Sequence, residues 1–580
     1  MEMYKSMRWA DLQEDSKVRQ FIVLAALFGT LAASSQATPP TLASNNKIAA
    51  FDWFEYRGED QLPDPGPDGY ANPVLTGFYP DPSVTRAGND YYLVTSTFSY
   101  FPGIPVFHSR DLVNWKQIGN AISRPEQLDF KKLGLSRGVF APSIEHHGGT
   151  FYIANTCVDC GGNFVITAKN PAGPWSDPVW LPELEGGIDP ALFFDTDGRT
   201  WMLNNGPPVG TPLYEGHRAI WIQQFNPRTL KTFGARTLLV NGGVDITKKP
   251  VWIEGPHIYK RDGWYYLSAA EGGTAEGHSQ VALRSRSVTG PYEPWANNPY
   301  LTQRDLPRDR KNPITSAGHA DLVQLPNGDW WATFLAVRPY KGDFYNTGRE
   351  TFLMPVSWKE GWPRMTMPRQ AIPYVAKRPP LPLSGKPASL RRTTLREEFD
   401  GRSLPLDWMM MRNPRERWHE LVGGALTLAA RPVGLGDFAN PSFLGRRQQH
   451  TYATASTSVR FDPKAAGDKA GLAAIQNDEY WFLLSVAHGA NGPEVRLERR
   501  VGPQDPASGK MIASAPLRVR PAGPVGLRIR ARGGLYDFDY AVQPGRWHSI
   551  QESADGTILS TKTAGGFVGT VFGVHAVSRR

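Results

Sequence analysis

The chain has 580 residues, with 64 Lys+Arg against 55 Asp+Glu and a formal charge of +9. At 40% hydrophobic and 11% aromatic, with 58 Gly and 50 Pro, it is too apolar to be disordered and too rich in turn formers for long helices, so many short strands are expected. Beyond residue 40 no apolar run reaches the ~18 residues of a spanning helix, which excludes a helical membrane bundle, and a charge of +9 over this length is weak ground for nucleic-acid binding.

Residues 1–37 have the three-part layout of a secretory signal: Lys17 and Arg19, an apolar run over 21–33, then Ser35 and Ala37 at the −3 and −1 places of a cleavage site. That run is short for a ~30 Å hydrocarbon core, so export to the periplasm or the medium is expected, with no membrane association once the signal is gone. The long flank before Lys17 allows a true start as late as Met7. Residues 38–71 form an extension whose F-D-W-F-E-Y-R stretch at 51–57 is too aromatic to stay in water and is expected to pack on one of the following domains.

From residue 72 five imperfect repeats follow, each a short lead motif, an apolar stretch, a turn and an aromatic-rich strand. The lead motifs are Asp81-Pro82-Ser83-Val84, Ala141-Pro142-Ser143-Ile144, Asp189-Pro190-Ala191-Leu192, Glu254-Gly255-Pro256-His257 and His319-Ala320-Asp321-Leu322, separated by 60, 48, 65 and 65 residues. Their turns, among them Gly148-Gly149, Asp262-Gly263 and Asn327-Gly328, carry the strongest short-range hairpin signal. A repeat of ~50 residues holding about four strands is one propeller blade. The expected fold is therefore all-β: a five-bladed β-propeller over 72–376, a Pro-rich linker over 377–390, and a lectin-like β-sandwich over 391–580. A jelly roll or solenoid would not impose the recurring lead-and-turn register. The two cysteines, in Cys157-Val158-Asp159-Cys160, have no second pair with which to make a zinc site, which leaves a loop disulfide or two inert thiols.

In a propeller the lead position of each innermost strand faces the axis, and three leads are acids: Asp81, Asp189 and Glu254. Any one Asp-Pro could be a turn, but three acids converging on one cavity repel each other and persist where split pKa values are useful. Glycoside hydrolysis needs one protonated and one ionised carboxyl. Glu254, among Trp252, Ile253 and Pro256, suits the acid because desolvation raises a carboxyl pKa. Asp189 would raise it further and orient it, which leaves Asp81 as the base.

At these residues the chain resembles glycoside hydrolase family 43. The resemblance rests on the run from Asn72 to Ser83 (N-P-V-L-T-G-F-Y-P-D-P-S), on Tyr100-Phe101-Pro102-Gly103-Ile104-Pro105 and His108-Ser109-Arg110-Asp111-Leu112, and on Gly187-Ile188-Asp189-Pro190, Ile253-Glu254-Gly255-Pro256 and Gly318-His319-Ala320-Asp321. It is nearest the β-xylosidase/α-L-arabinofuranosidase branch, a propeller followed by a sandwich, and the stretch Pro441 to His450 resembles that branch's second domain. The resemblance implies an inverting enzyme with Asp81 as general base, Glu254 as general acid and Asp189 as modulator of the acid. It implies an oligosaccharide substrate and exo attack on terminal pentose: β-1,4-xylosidase, with arabinofuranosidase activity alongside. It places Arg338, His319, Phe98 and Phe101 at the substrate, requires no cofactor, and leaves open a calcium ion near the axis beside His319. It also suggests that the sandwich's last strand is cut short after residues 576–578.

Two competing readings are a retaining fructan- or sucrose-type propeller, whose middle acid sits in Arg-Asp-Pro rather than Ile188-Asp189-Pro190, and a non-catalytic carbohydrate-binding propeller. Xylose versus arabinose preference and oligomeric state are not fixed by the sequence. The charge does find a location: residues 386–580 hold 27 Lys+Arg against 18 Asp+Glu, so the propeller part is neutral. The arginines at 528, 530 and 532 alternate as on a solvated sheet face, and no nucleic-acid motif accompanies them.

Overall fold

The computed structural model describes residues 47–60, 63–385, 393–517 and 523–579; the expected signal at 1–37 lies outside the described residues. Five antiparallel sheets of four or five strands follow one another from Ser83 to Arg364. Their innermost strands, Ser83–Ala87, Ser143–His147, Ile188–Phe194, Glu254–Arg261 and Thr315–Gln324, pack side by side around a ring that closes from the fifth back to the first. The ends of this domain are tied together where Gly69–Ala71 pairs with Val375–Lys377. At Gly148-Gly149 and Asp262-Gly263 both residues have positive φ (57° and 70°; 51° and 71°), the conformation that a two-residue hairpin with native twist requires.

Two sheets form the second domain. One holds Ser442–Arg447, Val571–Val577, Lys469–Asn477, Tyr480–Gly489, Gly492–Val501 and Lys510–Pro516. The other contains the aromatic extension, since Ile48–Gly58 lies between Ala425–Ala429 and Tyr452–Arg460 and also pairs with Thr393–Glu397. The sandwich is thus completed by a strand that precedes the propeller in sequence. Its alternating burial puts Phe51, Phe54 and Tyr56 into the core. Val571–Val577 is paired on both sides, so the final strand is an interior strand of its sheet. The stretch 528–540 is two strands, Val525–Arg532 and Leu535–Ala541, turning at Gly533-Gly534. Its arginines are paired across that hairpin: Arg528 and Arg530 with Asp539, Arg532 with Asp537.

The domains share a seam. Tyr100–Phe101 of the first blade pairs with Met410–Met411, and one hydrophobic cluster runs from Phe101, Ile104 and Ile153 through Trp408 and Trp418 into Phe482 and Phe538. Cys157 and Cys160 form a disulfide in the second blade.

Candidate active site

All five lead residues, Asp81, Ala141, Asp189, Glu254 and His319, line one pocket at the axis, together with Phe98, Phe140, Ile188, Trp252, Thr274, Arg349 and Phe567. The backbone shows how they are aimed. In the third and fifth blades the innermost strand carries a bulge: pairing passes from Ile188↔Asn205 to Ala191↔Leu203, and from Gly318↔Leu335 to Asp321↔Thr333. The first residue of each bulge is left-handed, Asp189 at φ 53° and His319 at φ 53°, and Asp81 matches them at φ 54°. A bulge re-aims a side chain, and a left-handed bend at the mouth of a blade turns these three toward the axis. Asp tolerates this conformation better than most residues do.

Glu254 breaks the expected register. In its blade the bulge lies between Glu254↔Ala270 and His257↔Ser268, so the equivalent of Asp189 and His319 is Gly255, at φ 55°, and Glu254 stands one residue earlier, level with Ile188 and Gly318. A Cβ on residue 255 would lie 2.7 Å from Cε1 of His319. The glycine clears space for that ring, and the acid reaches the pocket from the preceding position on a side chain one methylene longer than an aspartate.

The four polar leads differ in how well they are satisfied. Asp81 accepts hydrogen bonds from Ser96 Oγ at 2.6 Å and from Arg349 Nη1 at 3.2 Å. Asp189 accepts the backbone N–H of Gly255 at 3.1 Å and stands 3.5 Å from His319 Nε2. Burial alone would lower the His319 pKa, but the hydrogen bond to Asp189 and the fields of the Asp81 and Asp189 carboxylates raise it to about 9, so the ring is an imidazolium at neutral pH. Among the described residues the Glu254 carboxyl accepts no hydrogen bond. Burial first, then the neighbouring Asp189 carboxylate, pushes its pKa up to about 8, which keeps it protonated at neutral pH. One group is left holding a proton among neighbours whose charges are balanced.

Phe98 lines the pocket as expected, at φ 54°, in an aromatic group with Phe140 (centroids 5.6 Å apart) and Phe567 (5.9 Å). Phe567 comes from the sandwich, so the second domain forms part of the pocket wall. Its N–H donates to Ser136 Oγ at 2.8 Å, and Gly565 and Gly566 before it are left-handed (φ 70° and 73°). Gly348, at φ 74°, allows a similarly close approach at the seam, since a Cβ there would lie 2.9 Å from the Gly569 backbone. Sequence reasoning missed Arg349, Phe567, Phe140 and Thr274 as pocket residues and took Trp252 only as an apolar neighbour of Glu254. The local signals are slight: Gly348-Arg349 ahead of the strand Glu350–Lys359 and the glycine pair before Phe567.

Two expected substrate residues lie elsewhere. Arg338 does not reach the pocket. It donates from Nε and Nη2 to Glu350 at 2.6 and 2.9 Å and from Nη1 to Asp60 at 3.2 Å, a buried clamp between propeller and sandwich; the arginine facing the acids is Arg349. Phe101 is in the seam strand that pairs with Met410 and belongs to the joint core, so it has no face free for a sugar. Among the described residues no set of three or more His, Cys, Asp or Glu side chains is disposed to hold a metal, and the His319 ring is engaged with Asp189.

Known proteins are similar to this chain in both domains. The sequence model of "Glycosyl hydrolases family 43" matches residues 70–363, and that of "Beta xylosidase C-terminal Concanavalin A-like domain" matches residues 396–580. A xylosidase/arabinosidase of Butyrivibrio fibrisolvens is 37% identical over 513 residues, covering 87% of this chain and 95% of that protein. A non-reducing-end α-L-arabinofuranosidase of Bacteroides ovatus is 37% identical over 514 residues, covering 87% and 91%. The crystal structure of a GH43_12 protein retrieved from a capybara gut metagenome superposes with a TM-score of 0.84 at 38% identity, covering 92% of this chain and all of that one.

Proposed function

This chain belongs to glycosyl hydrolases family 43, and from that premise we propose that it is an exo-acting, inverting enzyme that removes a terminal pentose from xylan-derived oligosaccharides, as a β-1,4-xylosidase with α-L-arabinofuranosidase activity alongside. The observation that carries this reading is the buried, unpartnered Glu254, held protonated across the axis from an Asp81 whose two oxygens are fixed by Ser96 and Arg349. Glu254 gives its proton to the departing glycosidic oxygen. Asp81 takes a proton from water as the water attacks the anomeric carbon, and the two carboxyls exchange protonation states over the cycle. Asp189 raises the acid's pKa and, through the Gly255 N–H, fixes the backbone that carries it. Arg349, whose Nε has no partner among the described residues, takes the sugar-hydroxyl role expected of Arg338. The pocket wall at Phe98 and Phe567 supports attack at chain ends.

Two further parts of this reading concern location and ions. Export is supported by the layout around Lys17 to Ala37 and by the Cys157–Cys160 disulfide, since disulfides persist in oxidising compartments. No metal takes part in the steps above.

The test is a panel of aryl β-xyloside, aryl α-arabinofuranoside and xylobiose, run with the native protein and with Glu254→Gln. Hydrolysis of at least one pentoside, lost by at least ~10²-fold in the variant, is the expected result. A variant that hydrolyses xylobiose at the native rate removes Glu254 from the acid role.

A further inference from the structure

If Glu254 protonates the departing oxygen, the leaving group lies on the Glu254 side of the pocket, and that side has its own construction. Trp252, two residues before the acid, lines the pocket and adopts φ 55°, a conformation an aromatic residue keeps only where its surroundings impose it. Arg218 imposes it. Its guanidinium lies 4.8 Å from the centre of the Trp252 ring and is fixed from behind by Asn205 Oδ1, 3.0 Å from Nε, and by the Gly186 carbonyl. Asn205 in turn donates to the Ile253 carbonyl at 2.6 Å. One cation therefore ties the turn before Asp189 to the segment bearing Glu254 and holds the indole flat.

The 207–217 loop is tied to the same segment: the Gly216 carbonyl accepts the backbone N–H of Trp252 at 2.8 Å, and the Tyr214 hydroxyl lies 3.0 Å from the carbonyl oxygens of both Gly242 and Pro250. The Trp252 side chain itself is half-buried in the pocket lining.

We infer that Trp252, backed by Arg218, is the leaving-group subsite, and that it accepts a leaving group by a flat apolar face. A pyranose ring and a phenolic ring both present such a face. This inference rests on the assignment of Glu254 as the acid, but its test does not share that assignment's outcome. The probes have one glycone, whichever pentose the native protein releases, and three leaving groups. Fluoride offers no face and needs no proton; 2,4-dinitrophenolate offers a flat face and departs without protonation; xylose, in the disaccharide, offers a face and needs the proton.

Trp252→Ala is expected to lose about tenfold more in kcat/KM on the dinitrophenyl glycoside and on the disaccharide than on the fluoride, the scale of one aromatic stacking contact. The melting temperature of the variant shows whether it folds. A loss on the dinitrophenyl glycoside alone assigns the surface to phenolic leaving groups. Equal losses on all three probes, or a loss on the disaccharide alone, overturn the inference. Glu254→Gln gives the opposite pattern, keeping the fluoride and dinitrophenyl activities and losing the disaccharide. Failure of the native protein on every pentosyl probe would instead strike the functional reading itself.

Discussion

Arg338 and Arg349 bound one loop of the fifth blade, between the strands Trp330–Val337 and Glu350–Lys359, and both are buried. At Arg338 every charge is met. The guanidinium forks onto Glu350 and reaches Asp60; Glu350 also accepts the Gly77 N–H, and Asp60 those of Thr451 and Tyr452. At Arg349 only Nη1 meets a carboxylate, while Nε has no partner among the described residues, and the third acid of the cluster is left without a counterion and keeps its proton. The same residue types hold two domains together where their hydrogen bonds are complete, and make a reactive site where one group is left over.

The sharpest break of this contrast is at the acids. Asp81→Asn and Glu254→Gln are each expected to cost about 10²–10⁴-fold in kcat/KM on xylobiose or a poor aryl leaving group, with melting temperature preserved or raised. Loss of folding rather than turnover would show that the pocket acids are structural. Next come the two arginines. Arg349→Met should lower kcat by about 10²-fold through misplacement of Asp81 at little cost in stability. Arg338→Met leaves Glu350 and Asp60 buried without their cation, so chemical denaturation should show a loss of ~3–5 kcal/mol, with kcat of the folded fraction near native. If the two variants exchange phenotypes, the division of labour is wrong.

The pH dependence follows from Glu254. Its folded pKa of about 8 lies above the ordinary value of 4.5, and its protonated form is the active one, so kcat/KM should fall as pH rises through about 8, and Glu254→Gln should erase that limb. The same raised pKa destabilises the fold progressively from pH 4.5 to about 8, because the unfolded chain releases the proton first. The melting-temperature gain of Glu254→Gln should therefore be small at pH 4.5 and level off above pH 8; a gain independent of pH would separate it from this proton. The smallest expected effect is at the domain seam. Gly566→Ala puts a Cβ on a left-handed residue, 2.2 Å from Ser136 Oγ, and should cost about 1–3 kcal/mol and raise KM severalfold by displacing Phe567. An unchanged KM would mean that the sandwich does not shape the pocket.

The repeats were legible because a blade is a local object: its turn glycines, its aromatic strand and its lead motif lie within one stretch of chain, and the acids Asp81, Asp189 and Glu254 stood out at their heads. What was not legible depends on contacts between distant segments. The Glu254 offset relative to Asp189 arises from the His319 ring filling the space above Gly255, 64 residues away in the chain. Val-Arg-Pro at 338 and Gly-Arg-Glu at 349 are equally plausible pocket motifs until Asp60 and the 449–452 segment close over the first. Phe567 reaches the site from a domain whose own pattern concerns only its core. The Ile48–Gly58 strand reads as aromatic and buried, but its partners come some 370 to 410 residues later.

Most direct of all is the anomer first released, followed by NMR during hydrolysis of the native protein's preferred aryl pentoside. With Asp81 activating water and Glu254 donating its proton, a β-xyloside should give α-xylose first, and an α-arabinofuranoside should give β-arabinofuranose first, before mutarotation. Initial release of the sugar with its configuration retained would contradict the water-activating role of Asp81 and, with it, the pairing of the two carboxyls across the pocket.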